Sequence, residues 1–237
     1  TPGNRLAMAL ASDLADQQEM LARRKELMAA EVLRTGKSTI TGEKYPTVVV
    51  DFGRDAALTV ALGAGSKWGD SGVSPIANLE TWSLLVFDKS GVAPTDAVMD
   101  VAAWQKLRDD ATFDKLIDKR RLSDVETIRY TAMIAAGGVY QGRIGDLKIW
   151  LYNSNYVDND GANQKFLPNG SVILGSAGIE GVQHHGAIQD IEAGLQSMES
   201  YTKSWIVKDP SVRVLLMQSA PLVVPYRPNA SFYASVL

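Results

Sequence analysis

Between Asn4 and Arg34 the apolar positions return at spacings of three and four. Leu6, Leu10, Leu14, Leu21, Met28 and Val32 share one stripe with Gln17 and Arg24. That period predicts one long helix, with Asn4 as its cap and Gly36 as its stop. At ~1.5 Å per residue it would run roughly 45 Å. The stripe is narrow and broken by polar residues, so this helix is expected to lie across something rather than inside a core. The pattern then changes to β. Lys37 to Thr41 and the β-branched Thr47 to Phe52 flank a turn from Gly42 to Pro46, which predicts a hairpin. Leu58 to Leu62 is a further apolar run that leads into a glycine-rich loop.

Ser74 followed by Pro75 is a strong helix start. Ile76, Leu79, Trp82 and Val86 carry the helical period from there, and Gly91 ends it. Asp96 to Met99 reads as a strand. Asp100 then caps a helix over Val101 to Arg108, and Thr112 to Arg120 reads as another. Val125 to Ala136 fits neither period clearly. From Val139 onward the signals are β: Leu147 to Tyr152, Lys165 to Leu167, Ser171 to Leu174 and Val182 to Ile188. A polar loop runs to about Ser204. Val212 to Pro225 is then long and mostly apolar, and the alternating SFYASVL closes the chain. Helices and strands are mixed without regular alternation, which makes the class α+β.

Composition narrows the functional classes. The chain has 237 residues and a net charge of −3, with no basic tail or lysine-rich run. That argues against specific nucleic-acid binding, which leaves a positive footprint. No apolar run approaches the ~20 residues that cross a bilayer, so no membrane partner is expected, and no signal peptide is visible at the start. The absence of cysteine excludes disulfides and thiol chemistry and fits a reducing cytoplasm. The chain begins at Thr1 rather than methionine, which suits a fragment or a processed product.

Three segments invite a chemical reading. His184 and His185 are the two histidines, adjacent in a strand pattern, so their side chains should point to opposite faces. They are expected to be structural or surface histidines that bind no metal. Gly63-Ala64-Gly65-Ser66-Lys67-Trp68-Gly69 outlines a dinucleotide loop, with Asp88 placed for a ribose. However, Asp70 to Ser74 separate the glycines from the next helix, and the residues around Lys67 do not make a Walker A motif. A flexible loop is the favoured reading. Asp158-Asn159-Asp160-Gly161 resembles a calcium loop but has Ala162 at its fifth position and Asn169 at its twelfth. A hairpin tip suits it better. The pair Asp109-Asp110 should cap or be solvated. No residue is therefore put forward as catalytic, cofactor-binding or metal-binding, and no cofactor is expected.

The second half carries a resemblance that composition does not. The run SWIVKDPSVRVLLMQSAPLVV, with FLPNGSVILG, GAIQD, KLIDKRR and TGEKYPTVVVDFGR before it, resembles the lambda-type major capsid protein E family of tailed bacteriophages. The blocks match in order along nearly the whole chain. The resemblance implies a Hong Kong 97-type capsid fold: a long spine helix over a peripheral-domain β-sheet, plus an α/β axial domain. The helix Asn4 to Arg34 would be the spine. The hairpin Lys37 to Phe52 and the strand Val212 to Pro225 would supply the sheet. Residues 1–62 and 204–226 would form the peripheral domain, and residues 63–203 and 227–237 the axial domain. Asn153 to Pro168 would be an exposed hairpin at the axial tip, facing the capsomer axis.

The implied function is structural: a self-assembling subunit of an icosahedral phage or prophage head that encloses the DNA genome. The implied partners are copies of itself in pentameric and hexameric capsomers, with scaffold, decoration and portal proteins. The implied locations are the virion head and, before assembly, the bacterial host cytoplasm. Family members carry an N-terminal arm and an extended loop before the spine helix, whereas this chain starts at that helix. On that reading it should be mainly monomeric in dilute solution and build no shells. The alternative is a nucleotide-dependent enzyme built on Gly63 to Gly69. Leu84 to Asp88 separates the two readings, because a dinucleotide fold requires a strand there.

Overall fold

In a computed structural model, which describes residues 2–42, 45–118, 137–158 and 160–237, the first helix α1 spans Pro2–Thr35. It ends where Gly36 takes a φ of 70° and its amide donates to Val32 O at 2.8 Å. Arg54 closes the same end from outside, donating to the last-turn carbonyls of Leu33 and Arg34 and to Thr59 Oγ1. Burial pushes this guanidinium down to about 10, so it stays charged at neutral pH. A Cβ on Gly36 would stand 2.7 Å from Arg54 Cβ. Gly36→Ala should therefore cost about 2 kcal/mol, the left-handed backbone penalty plus displacement of Arg54. Thermal melts of the two proteins check this.

The remaining elements follow in chain order. The strands β1 (Lys37–Gly42) and β2 (Tyr45–Asp51) form a hairpin with Lys37 opposite Asp51. A 3-10 turn at Ala56–Leu58 enters β3 (Thr59–Ala61). Then come α2 (Pro75–Ser90), β4 (Asp96–Met99), α3 (Val101–Arg108), α4 (Phe113–Leu116) and β5 (Ile117–Asp118). Next are β6 (Gly138–Ile144), β7 (Leu147–Tyr152), β8 (Asn155–Val157), β9 (Asn163–Lys165) and β10 (Ser171–Gly175). The chain closes with β11 (Gly181–His185), β12 (Tyr201–Val207), β13 (Val212–Gln218), β14 (Pro221–Pro225) and β15 (Phe232–Ser235).

These elements form two compact units, Thr1–Ala29 with Val182–Val224, and Ala30–Gly181 with Pro225–Leu237. The second is built on a seven-stranded mixed sheet of order β3-β15-β10-β4-β7-β6-β5. The interior strand β10, between β15 and β4, reads SVILG and is buried on both faces from Ser171 to Leu174, as a covered strand must be. The two parallel pairs, β15 with β3 and β4 with β7, need crossovers. α2 packs on the sheet through Ile76, Leu79, Trp82 and Val86. In the core, Trp82 stacks between Trp68, with centroids 6.0 Å apart, and Phe232, at 5.0 Å. In the first unit β12 and β13 form a seven-rung antiparallel ladder from Tyr201↔Gln218 to Val207↔Val212.

The α+β class, α2, β4 and α3 hold closely, while α1 begins at Pro2, so Asn4 lies inside its first turn rather than capping it. Four further expectations need correction. The helix expected over Thr112 to Arg120 stops at Leu116, because Ile117 and Asp118 pair with Ile144 and Arg143 of β6. Arg120 and Val125 to Ala136 lie outside the described residues. The long strand Val212 to Pro225 is broken at Ser219 and Ala220, whose Oγ and O bond to Glu199 O and Gly186 N. The polar loop expected to reach Ser204 instead gives way to β12 at Tyr201. Finally, among the described residues β1 and β2 pair with each other alone, while β13 pairs with β12 and β14 with β11.

Candidate assembly surface

The glycine-rich loop is tied down by its own chain. Lys67 N donates to Asp70 Oδ2 at 3.0 Å, and Trp68 N to Val236 O at 2.9 Å. The Trp68 indole is buried against Trp82. A phosphate would need the free amides at the start of α2. Those amides are already taken: Ala77 N by Ser74 Oγ, and Ile76 N by the Asp110 carboxylate. Asp110 also accepts from Thr112 and from Ser74 Oγ, and these bonds, Thr112 first, hold its pKa below the usual carboxylate range. The open depression beside it, about 510 Å³, is lined by Asp70, Asp109 and Asp110 against the single cation Lys106. A carboxylate sits where a phosphate would have to bind. Leu84 to Asp88 lie within α2, with Leu84 and Phe87 exposed. The strand that the dinucleotide reading requires is a helix.

The histidines sit at the end of β11, His184 exposed and His185 half-buried. His185 Nδ1 is out of water and makes no hydrogen bond, while its carbonyl accepts from Ser197 Oγ. Among the described residues no three His, Asp or Glu side chains are grouped to hold an ion. Asp158 is occupied locally, accepting from Asp160 N, Ala162 N and Gln164 Nε2 at 2.8–3.1 Å. These bonds, with Ala162 first, lower its pKa. The segment closes as the hairpin β8–β9, exposed from Asp160 to Lys165 and anchored by the buried Phe166 and Leu167. Asn159 lies outside the described residues.

The first unit carries two ion-paired lysines and two apolar surfaces. Lys25 of α1 pairs with Glu199 at 2.7 Å. Lys203 of β12 pairs with Asp190 and reaches Glu192 at 3.5 Å. The Lys203 hydrogen bond holds Asp190 below its ordinary pKa, and the same bond raises Lys203. A depressed carboxylate contributes stability that is complete above its unfolded pKa and is lost as pH falls through the folded value. Lys203 adds a loss only at the alkaline end. The stabilisation from this pair should therefore fade below about pH 4. Asp190→Asn should flatten that acid limb when hydrogen exchange in residues 186–207 is followed from pH 6 to 2.5.

Beyond this pair, and the Lys203 ammonium 5.8 Å from the Trp205 ring centroid, the β12–β13 hairpin carries exposed apolar side chains. Trp205 is 43% exposed, Ile206 62%, Val207 37% and Val212 49%. By the ladder register, Trp205, Val207, Val212 and Val214 share one face. A second apolar feature lies where α1 meets β13, a groove of about 420 Å³ lined by Gln17, Met20, Leu21, Leu215 and Met217. The sequence reading missed β12. Its signal was the run Trp205-Ile206-Val207 before Lys208-Asp209-Pro210, hidden by the polar residues Thr202 to Ser204.

Comparisons with known proteins bear on what such a surface serves. The chain is similar to the major capsid protein of Escherichia phage lambda, 29% identical over 235 residues that cover 96% of this chain and 67% of that one. It is 28% identical over 227 residues to the P21 prophage-derived major head protein of Escherichia coli O6:H1 strain CFT073, covering 94% of this chain and 66% of that protein. The chain thus spans about two thirds of the length of these relatives. Among solved structures, a chain assigned as the capsid protein of an E. coli CFT073 prophage superposes with a TM-score of 0.84 at 26% identity, covering 95% of this chain and 66% of that one. A phage-related protein of Bordetella bronchiseptica RB50 shares the fold at TM-score 0.53 and 10% identity. The model of the phage major capsid protein E family matches residues 1–236, and the chain belongs to that family.

Proposed function

We propose that this chain is the structural shell subunit of a phage or prophage head, with no enzymatic role. The single observation that carries the reading is the family match over residues 1–236, and the 0.84 superposition on a prophage capsid chain supports it. The surface chemistry agrees: the one phosphate-like loop is closed by Trp68 and Asp110, and the first unit carries apolar surfaces. On this reading copies of the chain join into pentameric and hexameric capsomers around the DNA genome. Scaffold, decoration and portal proteins are further partners. The chain resides in the virion head after a stage in the bacterial cytoplasm. Residues 1–62 and 204–226 form the peripheral domain, and residues 63–203 and 227–237 the axial domain. The exposed hairpin β8–β9 faces the capsomer axis. Negative-stain electron microscopy of the complete gene product expressed alone tests the reading. Closed or partly closed shells of uniform curvature are the expected result. A protein that stays monomeric at every concentration and salt condition overturns it.

A further inference from the structure

The exposed hairpin and the apolar groove of the first unit match one another chemically. The groove presents Met20, Leu21, Leu215 and Met217, and within it Gln17 Oε1 is out of water with no hydrogen-bond donor. The hairpin presents an exposed Trp205 whose indole N–H makes no hydrogen bond, beside Val207 and Val212. The groove's acceptor is buried without a donor, and a water-exposed indole N–H on an apolar tip is the donor that would relieve its cost. Charge runs the same way. Asp13 and Asp16 stand one helical turn before Gln17 and Met20, and neither carries an ion pair. Lys208 and Arg213 flank the exposed hairpin residues, and neither of them is paired. Two like charges oppose this: Arg24, one turn beyond Met20, which confines the favourable rim to the upstream side, and Asp209, beside Lys208 at the tip, which leaves the tip with one net positive charge from Lys208 and Arg213.

The two surfaces of one chain cannot meet. The hairpin ladder is unbroken from Tyr201↔Gln218 to Val207↔Val212, and Leu215 belongs to it. At ~3.4 Å per residue the tip stands roughly 10 Å beyond the groove on the same stiff ribbon. We infer that the hairpin of a second copy of this chain docks in the groove between α1 and β13, with Trp205 and Val207 entering against Gln17 and Met20. Tip and groove are different surfaces, so the contact is heterologous: repeated from copy to copy it builds a ring or an open array rather than a closed dimer. One Trp and two Val bury far less than the ~1,000 Å² of a stable pair. Each contact is therefore weak, and it holds only when many act together.

This inference rests on the shell-subunit reading, and cross-linking tests it separately. The chain has no cysteine, so single replacements report one contact each. A Met20→Cys protein and a size-tagged Val207→Cys protein are mixed at high concentration and oxidised. The mixed cross-link is expected to exceed either self-cross-link about tenfold, one hot spot's worth of preference. Adding Trp205→Ala to the Val207→Cys protein should return it to the level of a control cysteine at Asp160. Folding is checked by an unchanged melt. Asp13→Lys with Asp16→Lys on the groove protein should reduce the product, and Lys208→Glu with Arg213→Glu on its partner should restore it. A dominant Val207–Val207 product would show tips meeting tips and overturn the inference. So would oligomers in sedimentation without the mixed product, a result that leaves the shell reading intact. A protein that neither sediments as oligomers nor gives the mixed product at high concentration also overturns the inference, and leaves the shell reading, which rests on the family match, intact.

Discussion

Trp82→Ala is expected to destabilise the second unit by about 3–5 kcal/mol, the range for deleting a large aromatic from a packed core. Trp82 is 7% exposed and holds two rings, Trp68 on one side and Phe232 on the other. Trp68 anchors the Gly63–Gly69 loop, and Phe232 lies on β15, the strand that joins β3 to β10. The cavity left by Trp82 would open between three segments that have no other shared ring. Collapse into it would require moving the loop or the strand, so relaxation should recover little. Leu84→Ala, two residues on and on the exposed face of α2, should change stability by less than about 0.5 kcal/mol. Urea denaturation of the two variants separates burial from helix propensity. Similar losses in both would show that α2 contributes as a helix rather than through its buried stripe.

The elements readable from sequence were those whose signals were local. Ser74-Pro75 and Gly91 bound α2 because the cap, the proline and the left-handed glycine act on their immediate neighbours. The capping of α3 by Asp100 was legible for the same reason. The misses came from distant partners. Ile117 and Asp118 are strand because β6 lies beside them, and no local period carries that information. The break at Ser219 and Ala220 depends on Glu199 and Gly186, which are far away in sequence. β12 hid because its residues are mostly exposed, so no buried face imposed alternation on Thr202 to Ser204. The candidate surface was illegible for a related reason. The stripe of α1 is narrow and broken by polar residues, and half of the groove is supplied by β13, about 195 residues later. The negative readings were more accessible: spacing alone counted against the glycine loop as a phosphate cradle, and the geometry supplied the cause in Asp110.

Asp100→Ala should cost about 2–4 kcal/mol, the sum of a lost helix cap and a stranded buried amide. Asp100 is buried at the junction of β4 and α3. Its Oδ2 accepts from Ala102 N, and its Oδ1 accepts from Ala103 N and from Gly170 N at 2.9 Å. Two of these donors are the free amides of a helix start. The third belongs to the turn before β10, where Gly170 has a φ of 77° and leaves no room for a Cβ beside Leu237. One carboxylate thus begins α3 and fixes the entry of the interior strand β10. Alanine leaves Gly170 N buried without a partner, and the compact turn gives water little room to replace it. Asparagine keeps one acceptor oxygen of the right size, so Asp100→Asn should recover about half of the loss if its oxygen faces Gly170 and Ala103. Hydrogen exchange decides the mechanism. In the alanine variant, protection should fall first at Gly170 and at Ala102 and Ala103, ahead of the global transition. Equal loss across all of β10 and α2 would show that Asp100 acts only through overall stability, and not as the joint between α3 and β10.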